Sequence, residues 1–258
     1  MLAAERWQKI VQLVNERGSV RVSELSRLCE VTEETIRRDL DKLESEGKLL
    51  RSHGGAVSVK DQQPETPYFE RETTNAEEKR LIAREAVRHI GENERIVLDA
   101  SSTAWYVARE LPNIPLVVLT NSIKAAMELS VKDRIRVIST GGQLLPRSLS
   151  YVGPLAEQSL DHYHVDKAFL SCKGLHAARG ISESNEWQAL VKRKMIEIAD
   201  AVYLLADFSK FGQQALAHVA GWRDIDYVIT DEAADDGIVR ELEAQAVKVV
   251  RVSEEGPG

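Results

Sequence analysis

Between residues 5 and 16 the apolar side chains Trp7, Ile10, Val11 and Val14 recur at steps of three and four, the spacing that lines one face of an α-helix. Gly18 stands where such a helix would stop. Ser23 opens a second short pattern over residues 24–29, with Leu25 and Leu28 inward and Cys29 read as a small buried apolar residue. Thr32 is placed to cap a third helix whose Ile36, Leu40 and Leu43 share a face. After Gly47, residues 48–57 read as two short extended runs around a Gly54-Gly55 tip, a hairpin wing.

Residues 60–75 carry two prolines, many polar side chains and no sustained period, the pattern of a linker on which Tyr68 and Phe69 dock locally. Helical spacing resumes at 77–90, with Leu81, Ile82, Ala86 and Ile90 on one side and Asn75 as the expected cap. From there, β-rich runs at 95–100, 115–120, 135–140, 167–172, 201–206, 227–230 and 248–252 alternate with helical stretches. Strands spaced by helices predict a mainly parallel sheet covered on both faces. The expected fold class is therefore α/β: an N-terminal winged helix-turn-helix at 1–59, a linker at 60–75, a mainly parallel α/β domain at 76–253 and a tail at 254–258.

Bulk numbers fit this division. A chain of 258 residues with 43% hydrophobic content can bury two cores. No run approaches the roughly 18 to 20 uncharged apolar residues of a membrane helix, and Glu5, Arg6 and Lys9 already mark the start. The expectation is a soluble cytoplasmic protein with no signal peptide and no membrane partner. Cys29 and Cys172 fall in different domains and outside any CxxC or Cys/His cluster, so neither a metal, a disulfide nor a cofactor is expected. The net charge of -7 argues against non-specific polyanion binding. Residues 1–60, however, hold 11 Lys and Arg against 10 Asp and Glu, and the remainder 23 against 31. A near-neutral head on an acidic body permits local contact with DNA.

Two short helices joined by a tight turn form a helix-turn-helix pattern. Its third helix would present Thr35, Arg37, Arg38 and Lys42 outward, with Thr32 and Glu34 in the first turn and Arg51 and His53 on the wing. Arginine can pair with guanine in the major groove, and threonine can meet a phosphate or a thymine methyl. An isolated Arg-Arg pair is otherwise an ordinary solvated helix face. In the second domain the strand ends read Asp99-Ala100-Ser101-Ser102-Thr103, Thr120-Asn121-Ser122, Thr140-Gly141-Gly142, Ser171-Cys172-Lys173-Gly174 and Asp207-Phe208-Ser209-Lys210. Open α/β sheets bind ligands beyond such ends. Hydroxyls and helix-start amides suit phosphate, although serine and threonine before a helix are more commonly plain caps.

The run "VTEETIRRDLDKLESEGKLLRSHGGAV" at 31–57 resembles the signature of the DeoR family of regulators. The remainder is similar to that family's sensor domain, whose fold resembles ribose-5-phosphate isomerase and glucosamine-6-phosphate deaminase. The resemblance implies a regulator, expected to repress, that binds double-stranded operator DNA as a homodimer or homotetramer and responds to a phosphorylated sugar. "DASST" at 99–103 stands where the family usually has D-x-G-S-T, and Cys172-Lys173-Gly174 departs from its usual G-x-x-G. "NEWQALVKRKMIEIAD" and "YLLADFSKFG" place Glu186, Lys194, Asp207 and Lys210 at recurrent polar positions of the family.

The expected effector set is therefore Asp99, Ser101, Ser102, Thr103, Thr120, Asn121, Ser122, Gly141, Gly142, Lys173, Glu186, Lys194, Asp207 and Lys210. "LDASSTAWYVARELP" at 98–112 is similar to fucose and rhamnose regulators, which implies a 6-deoxyketohexose 1-phosphate such as rhamnulose 1-phosphate. Trp105 and Tyr106 within it equally suit packing of their helix on the sheet. Two other readings stay open. One is a sugar-phosphate isomerase with Asp99, Glu183, Glu186 or Asp207 as base, although isomerase-like Asp-Gly-Ala-Asp and Lys-Gly-Gly-Gly-Ala runs are absent. The other is a ligand-independent repressor whose body only oligomerises.

Overall fold

The computed structural model describes residues 3–17, 19–52, 54–58 and 65–253. The chain divides into two compact units, Met1–Pro64 and Glu65–Gly258.

The first unit runs α1 (Ala3–Arg17), β1 (Ser19–Arg21), α2 (Val22–Cys29), α3 (Glu33–Ser45), β2 (Leu49–Ser52) and β3 (Gly55–Ser58). Ile10 and Val14 of α1, Leu25 and Cys29 of α2, and Ile36, Leu40 and Leu43 of α3 meet in one core, as their spacing requires. Ser23 does not open α2. The helix begins at Val22 behind an extended Arg21 that makes no side-chain cap, and it ends at Glu30, whose left-handed φ of 55° lets its N–H reach the Ser26 carbonyl. The Thr32 hydroxyl accepts from the Thr35 amide and caps α3. β3 lies between β1 and β2 in a three-stranded antiparallel sheet. Gly55 is required there, because a Cβ at that position would lie 2.2 Å from the Val20 carbonyl oxygen.

One polar link crosses this small core. The buried Asp39 carboxylate of α3 accepts from Arg6 Nε at 2.6 Å, Arg6 Nη2 at 3.1 Å and Trp7 Nε1 at 2.6 Å. It fixes the roll of α3 against α1, and hence which residues face outward. A buried carboxylate is tolerated because two charge-assisted bonds and an indole N–H saturate it.

The second unit comprises α4 (Tyr68–Thr73), α5 (Ala76–Arg88), β4 (Arg95–Leu98), α6 (Ser102–Glu110), β5 (Leu116–Thr120), α7 (Ile123–Leu129), β6 (Ile135–Ser139), β7 (Gln143–Leu145), β8 (Ser150–Val152), α8 (Pro154–Leu160), β9 (Val165–Leu170), β10 (Gly174–His176), β11 (Gly180–Glu183), α9 (Glu186–Glu197), β12 (Ala199–Leu205), β13 (Ala217–Ala220), β14 (Tyr227–Asp231), α10 (Asp236–Glu243) and β15 (Lys248–Val252). The seven apolar runs found in the sequence form one parallel sheet in the order β15-β14-β12-β9-β4-β5-β6. Separate buried clusters pack against it, one including α5, α6 and α7 and the other α8 and α9. A β7–β8 hairpin and an antiparallel β10-β11-β13 sheet stand apart from it.

Two expectations need correction. Of the supposed linker 60–75, residues 60–64 lie outside the described residues, while 65–75 belong to the second unit and include α4, with Tyr68 buried in its core. Asn75 does not cap α5 with its side chain; it sits at φ 50° and its Nδ2 donates to Asp207 Oδ1 at 3.0 Å.

Replacing Asp39 with Ala leaves the Arg6 and Trp7 donors without their acceptor. It should cost the first unit about 3 kcal/mol, read as a lower urea midpoint for that unit's transition. An unchanged midpoint would show that the link contributes nothing.

Candidate functional site

On the first unit, α3 presents Glu34, Arg37 and Arg38 to solvent, with Arg38 the most open at 80% side-chain exposure. Arg37 is held along the helix by Glu33 at 2.8 Å and Glu34 at 3.7 Å. Thr35 is half-buried and its hydroxyl meets that of Thr32 at 2.9 Å. Lys42 is exposed as expected, with its ammonium 3.8 Å from the Trp7 ring centroid. Arg51 of β2 donates to Asp41 Oδ1 at 2.6 Å and to the Arg37 carbonyl at 3.0 Å, joining the wing to α3. His53 lies outside the described residues. Surface ion pairs of this kind are weak, so phosphate oxygens can replace Glu33, Glu34 and Asp41 as partners of the arginines.

In the second unit the parallel strands reverse their order between β4 and β9, since β5 and β6 build outward on one side of β4 and β12, β14 and β15 on the other. Such a switch point leaves a crevice at the carboxyl ends. A cavity of about 210 Å³ lies there, lined by Ser101, Ser102 and Thr103 after β4 and by Ser171, Cys172 and Lys173 after β9. Arg71 and Thr74 of the α4 segment, Asn75, Lys79 of α5, Glu65, Thr66, Glu183, Ser184, Ser209 and Lys210 complete the wall.

The floor is built around a buried ammonium. Lys192 of α9 sits 2.7 Å from Asp99 Oδ2 and 2.6 Å from Glu183 Oε1, and it donates to the Ser171 carbonyl at 2.5 Å. Burial acts to lower its pKa, but the two carboxylates outweigh that and hold it above the ordinary lysine value. Asp99 also accepts from the amides of Ser101 at 3.0 Å and Ser171 at 2.9 Å, which fixes the loops that follow β4 and β9. The Ser101 hydroxyl accepts from the Ala104 amide and caps α6. Ser102 and Thr103 occupy the first turn, where amides have no intrahelical acceptor.

Four cationic side chains surround this helix start. Lys79 is buried and donates to the carbonyls of Arg71 and Thr74, each at 2.6 Å. Burial pulls it down to about 8 despite the Asp207 charge. Desolvation, then Lys210, also lowers Lys173. Lys210 stands 3.9 Å from Asp207, whose carboxylate accepts from the Ser209 amide and hydroxyl and from Asn75. Arg71 is the fourth: its buried Nε and Nη2 make no hydrogen bond among the described residues, and the Glu65 carboxylate is 3.7 Å away. Donors held dry and unsatisfied are costly, and anion binding is the simplest way to satisfy them.

The structure thus gathers Ser101, Ser102, Thr103, Lys173 and Lys210 on one cavity, with Asp99 and Asp207 as supports behind it. The other expected residues are not on its wall. Thr120 and Ser122 are spent on the turn before α7, their hydroxyls accepting from the Ser122 and Ala125 amides. Asn121 donates to the Tyr151 carbonyl of β8. Gly141 and Gly142 make a left-handed turn after β6, where a Cβ on Gly142 would meet the Val152 carbonyl at 2.7 Å. Glu186 is exposed at the start of α9. Lys194 faces out to Asp161 and Glu197 at 2.9 and 2.7 Å. Trp105 and Tyr106 are buried in the α6 packing and off the cavity wall. Arg71, Lys79 and Lys192 were missed. Lys192 shares the Gln188, Ala189 and Met195 face of α9, a signal that helical spacing carries.

Both cysteines are free and buried, no group of metal-ligating side chains occurs among the described residues, and no helix there is long and apolar enough to cross a membrane.

Together these units define a winged helix-turn-helix protein with a parallel α/β body. A family model described as the DeoR-like helix-turn-helix domain matches residues 6–62, and one described as the DeoR C terminal sensor domain matches 74–232. The chain belongs to the DeoR family of transcriptional regulators. It is 57% identical to the uncharacterized HTH-type transcriptional regulator YulB of Bacillus subtilis over 98% of each chain. It is 39% identical to the L-fucose operon activator of Haemophilus influenzae, covering 95% of this chain and 98% of that one, and 34% identical to a putative aga operon transcriptional repressor of Escherichia coli O157:H7, covering 97% and 94%. Among solved structures, ribose 5-phosphate isomerase A of Methanocaldococcus jannaschii aligns at TM-score 0.41 and 22% identity over 54% of this chain and 55% of that one.

Lys79 gives a pH signature. Its folded pKa of about 8 lies below the ordinary 10.5, so between those values the unfolded chain binds a proton that the native chain lacks. Stability contributed by Lys79 therefore rises as pH climbs from about 8 to 10.5. Urea unfolding at pH 7.5 and 10 should show this rise in the parent and a flatter response in Lys79→Met; identical pH responses would contradict the assignment.

Proposed function

We propose that this chain regulates a sugar-utilisation operon, with operator binding by α3 and the wing modulated by a phosphorylated sugar in the cavity at the β4/β9 switch point. The carrying observation is the convergence of Arg71, Lys79, Lys173 and Lys210 on the first turn of α6, with two Arg71 donors buried and unsatisfied. A phosphate supplies the hydrogen-bond acceptors that Arg71 lacks and further negative charge for a wall with four cations. The cavity volume is below the roughly 300 to 1,000 Å³ of drug-sized sites, in keeping with a small metabolite. Relatives named for the fucose and aga operons support a sugar, and the fucose names make a 6-deoxyketohexose 1-phosphate such as rhamnulose 1-phosphate the first candidate.

Binding is favoured over catalysis by what the carboxylates already do. Asp99 and Glu183 are committed to Lys192; Asp207 gives Oδ1 to Ser209 and Asn75, has Lys210 3.9 Å from Oδ2, and like Glu186 is off the wall. None is a free base aimed at a substrate carbon.

In this reading Arg37 and Arg38, with Thr35 and Glu34, face base edges. Thr32, Arg51, His53 and Lys42 meet the backbone. A homodimer or homotetramer sets two such helices a helical turn apart, about 34 Å, or a multiple of it. The bound form represses, and the effector releases it. A hundredfold loss of operator affinity needs about 2.7 kcal/mol of coupling between the two ligands.

On an operator recovered by selection from random duplexes, Arg37→Ala should lose about 1 to 3 kcal/mol of binding and keep its response to sugar phosphate. Lys210→Ala should keep operator affinity and lose the response. Full operator affinity in the Arg37 variant, or a full response in the Lys210 variant, would remove that residue from its role.

A further inference from the structure

The wall of the cavity contains its own anion beside the cation best suited to a phosphate. Glu65 Oε1 lies 3.7 Å from Arg71 Nη2, close enough to neutralise the guanidinium but too far to hydrogen-bond it. The same oxygen accepts from Gln188 Nε2 of α9 at 2.5 Å. The Glu65 carbonyl accepts from Arg147 Nε at 2.8 Å, and the Arg147 carbonyl accepts from the Tyr68 amide at 2.7 Å. Residues 65–68 are thereby clipped to the body at three points, one of which is the acid that faces Arg71.

We propose that Glu65 and Arg71 are an exchange pair: the effector's phosphate takes Arg71, and the Glu65 carboxylate is displaced as it does so. This rests on reading the cavity as a phosphate site, and it adds the regulation of that site. The Glu65 carboxylate, only 15% exposed, cannot stay beside an incoming dianion on the same guanidinium without strong like-charge repulsion. A second carboxylate, Glu183, stands on the same wall and adds to that repulsion. Burial already holds the Glu65 carboxyl above its ordinary value, with Glu183 adding to the rise and Arg71, Gln188 and Lys192 opposing it, so losing Arg71 removes a main support of its charge. Effector binding then trades the Glu65 clip for a phosphate clip on α4. Glu65 is the first residue of the second unit, so the exchange alters the fastening of the segment through which the chain enters that unit.

The test is calorimetric titration of the full-length protein with inorganic phosphate at fixed ionic strength. Glu65→Gln keeps a side chain able to bond Gln188 but removes the competing charge, and it should bind phosphate about fivefold more tightly than the parent. Arg71→Met should bind at least tenfold more weakly. Glu186→Gln, which removes a charge at the exposed start of α9, should match the parent and so exclude a general effect of net charge. If Arg71→Met does not fold, Glu65→Gln against Glu186→Gln decides. Phosphate binding by the parent with equal or weaker binding by Glu65→Gln overturns the exchange while leaving the phosphate site standing. No phosphate binding by the parent overturns both.

Discussion

Everything around the cavity hangs on the ammonium of Lys192. Its three partners, Asp99, Glu183 and the Ser171 carbonyl, follow or belong to three different strands, while Lys192 itself comes from α9. A buried ion pair is no guarantee of stability, because desolvation can cancel its attraction. What this cluster provides is position. It holds the ends of β4 and β9 at a fixed separation where the sheet reverses its order, and the cavity occupies that gap. With both carboxylates balanced by Lys192, Glu65 shares the wall with the cations Arg71, Lys79, Lys173 and Lys210.

The same economy appears in the first unit, where one buried carboxylate, Asp39, takes every donor that Arg6 and Trp7 offer it. In each unit, one saturated polar cluster fixes a functional surface that apolar packing alone would leave free to rotate or slide. For α3 the surface is the row of Arg37 and Arg38. For the cavity it is the first turn of α6 with its ring of cations. The arginines of α3 carry their own acidic partners, as Arg71 carries Glu65, so under the proposed function each surface gives up internal ion pairs before it accepts an external phosphate.

The large elements were legible because their periods are unambiguous. Parallel strands buried on both faces read as short continuous apolar runs, and all seven were visible, as were the core faces of α1 and α3. The segment 65–75 was not legible: α4 has six residues, follows Pro67 and buries only Tyr68, so its period never rises above the polar background. Arg71 was lost with it, and nothing local to its sequence says that it reaches a cavity made by strands far along the chain. The three-residue strands β7, β8 and β10 were too short to show alternation. Thr120, Asn121 and Ser122 misled because a cap and a phosphate loop use the same residues; only the third dimension shows that the Thr120 and Ser122 hydroxyls cap the turn before α7 and that none of the three lines the cavity. Lys194 was named by family likeness, whereas the helical face of Gln188, Ala189 and Met195 points to Lys192.

The central claim, that the body senses a phosphorylated sugar, is tested most directly by a thermal-shift screen. The purified full-length protein is melted with rhamnulose 1-phosphate, fuculose 1-phosphate and other sugar phosphates, each beside its unphosphorylated parent. A ligand of the native state present at a hundred times its dissociation constant adds about 2.7 kcal/mol, a clear rise in Tm for a protein of this size. The account predicts a rise with at least one sugar phosphate and none with its parent sugar. No rise with any sugar phosphate, or equal rises with and without the phosphate, would contradict it.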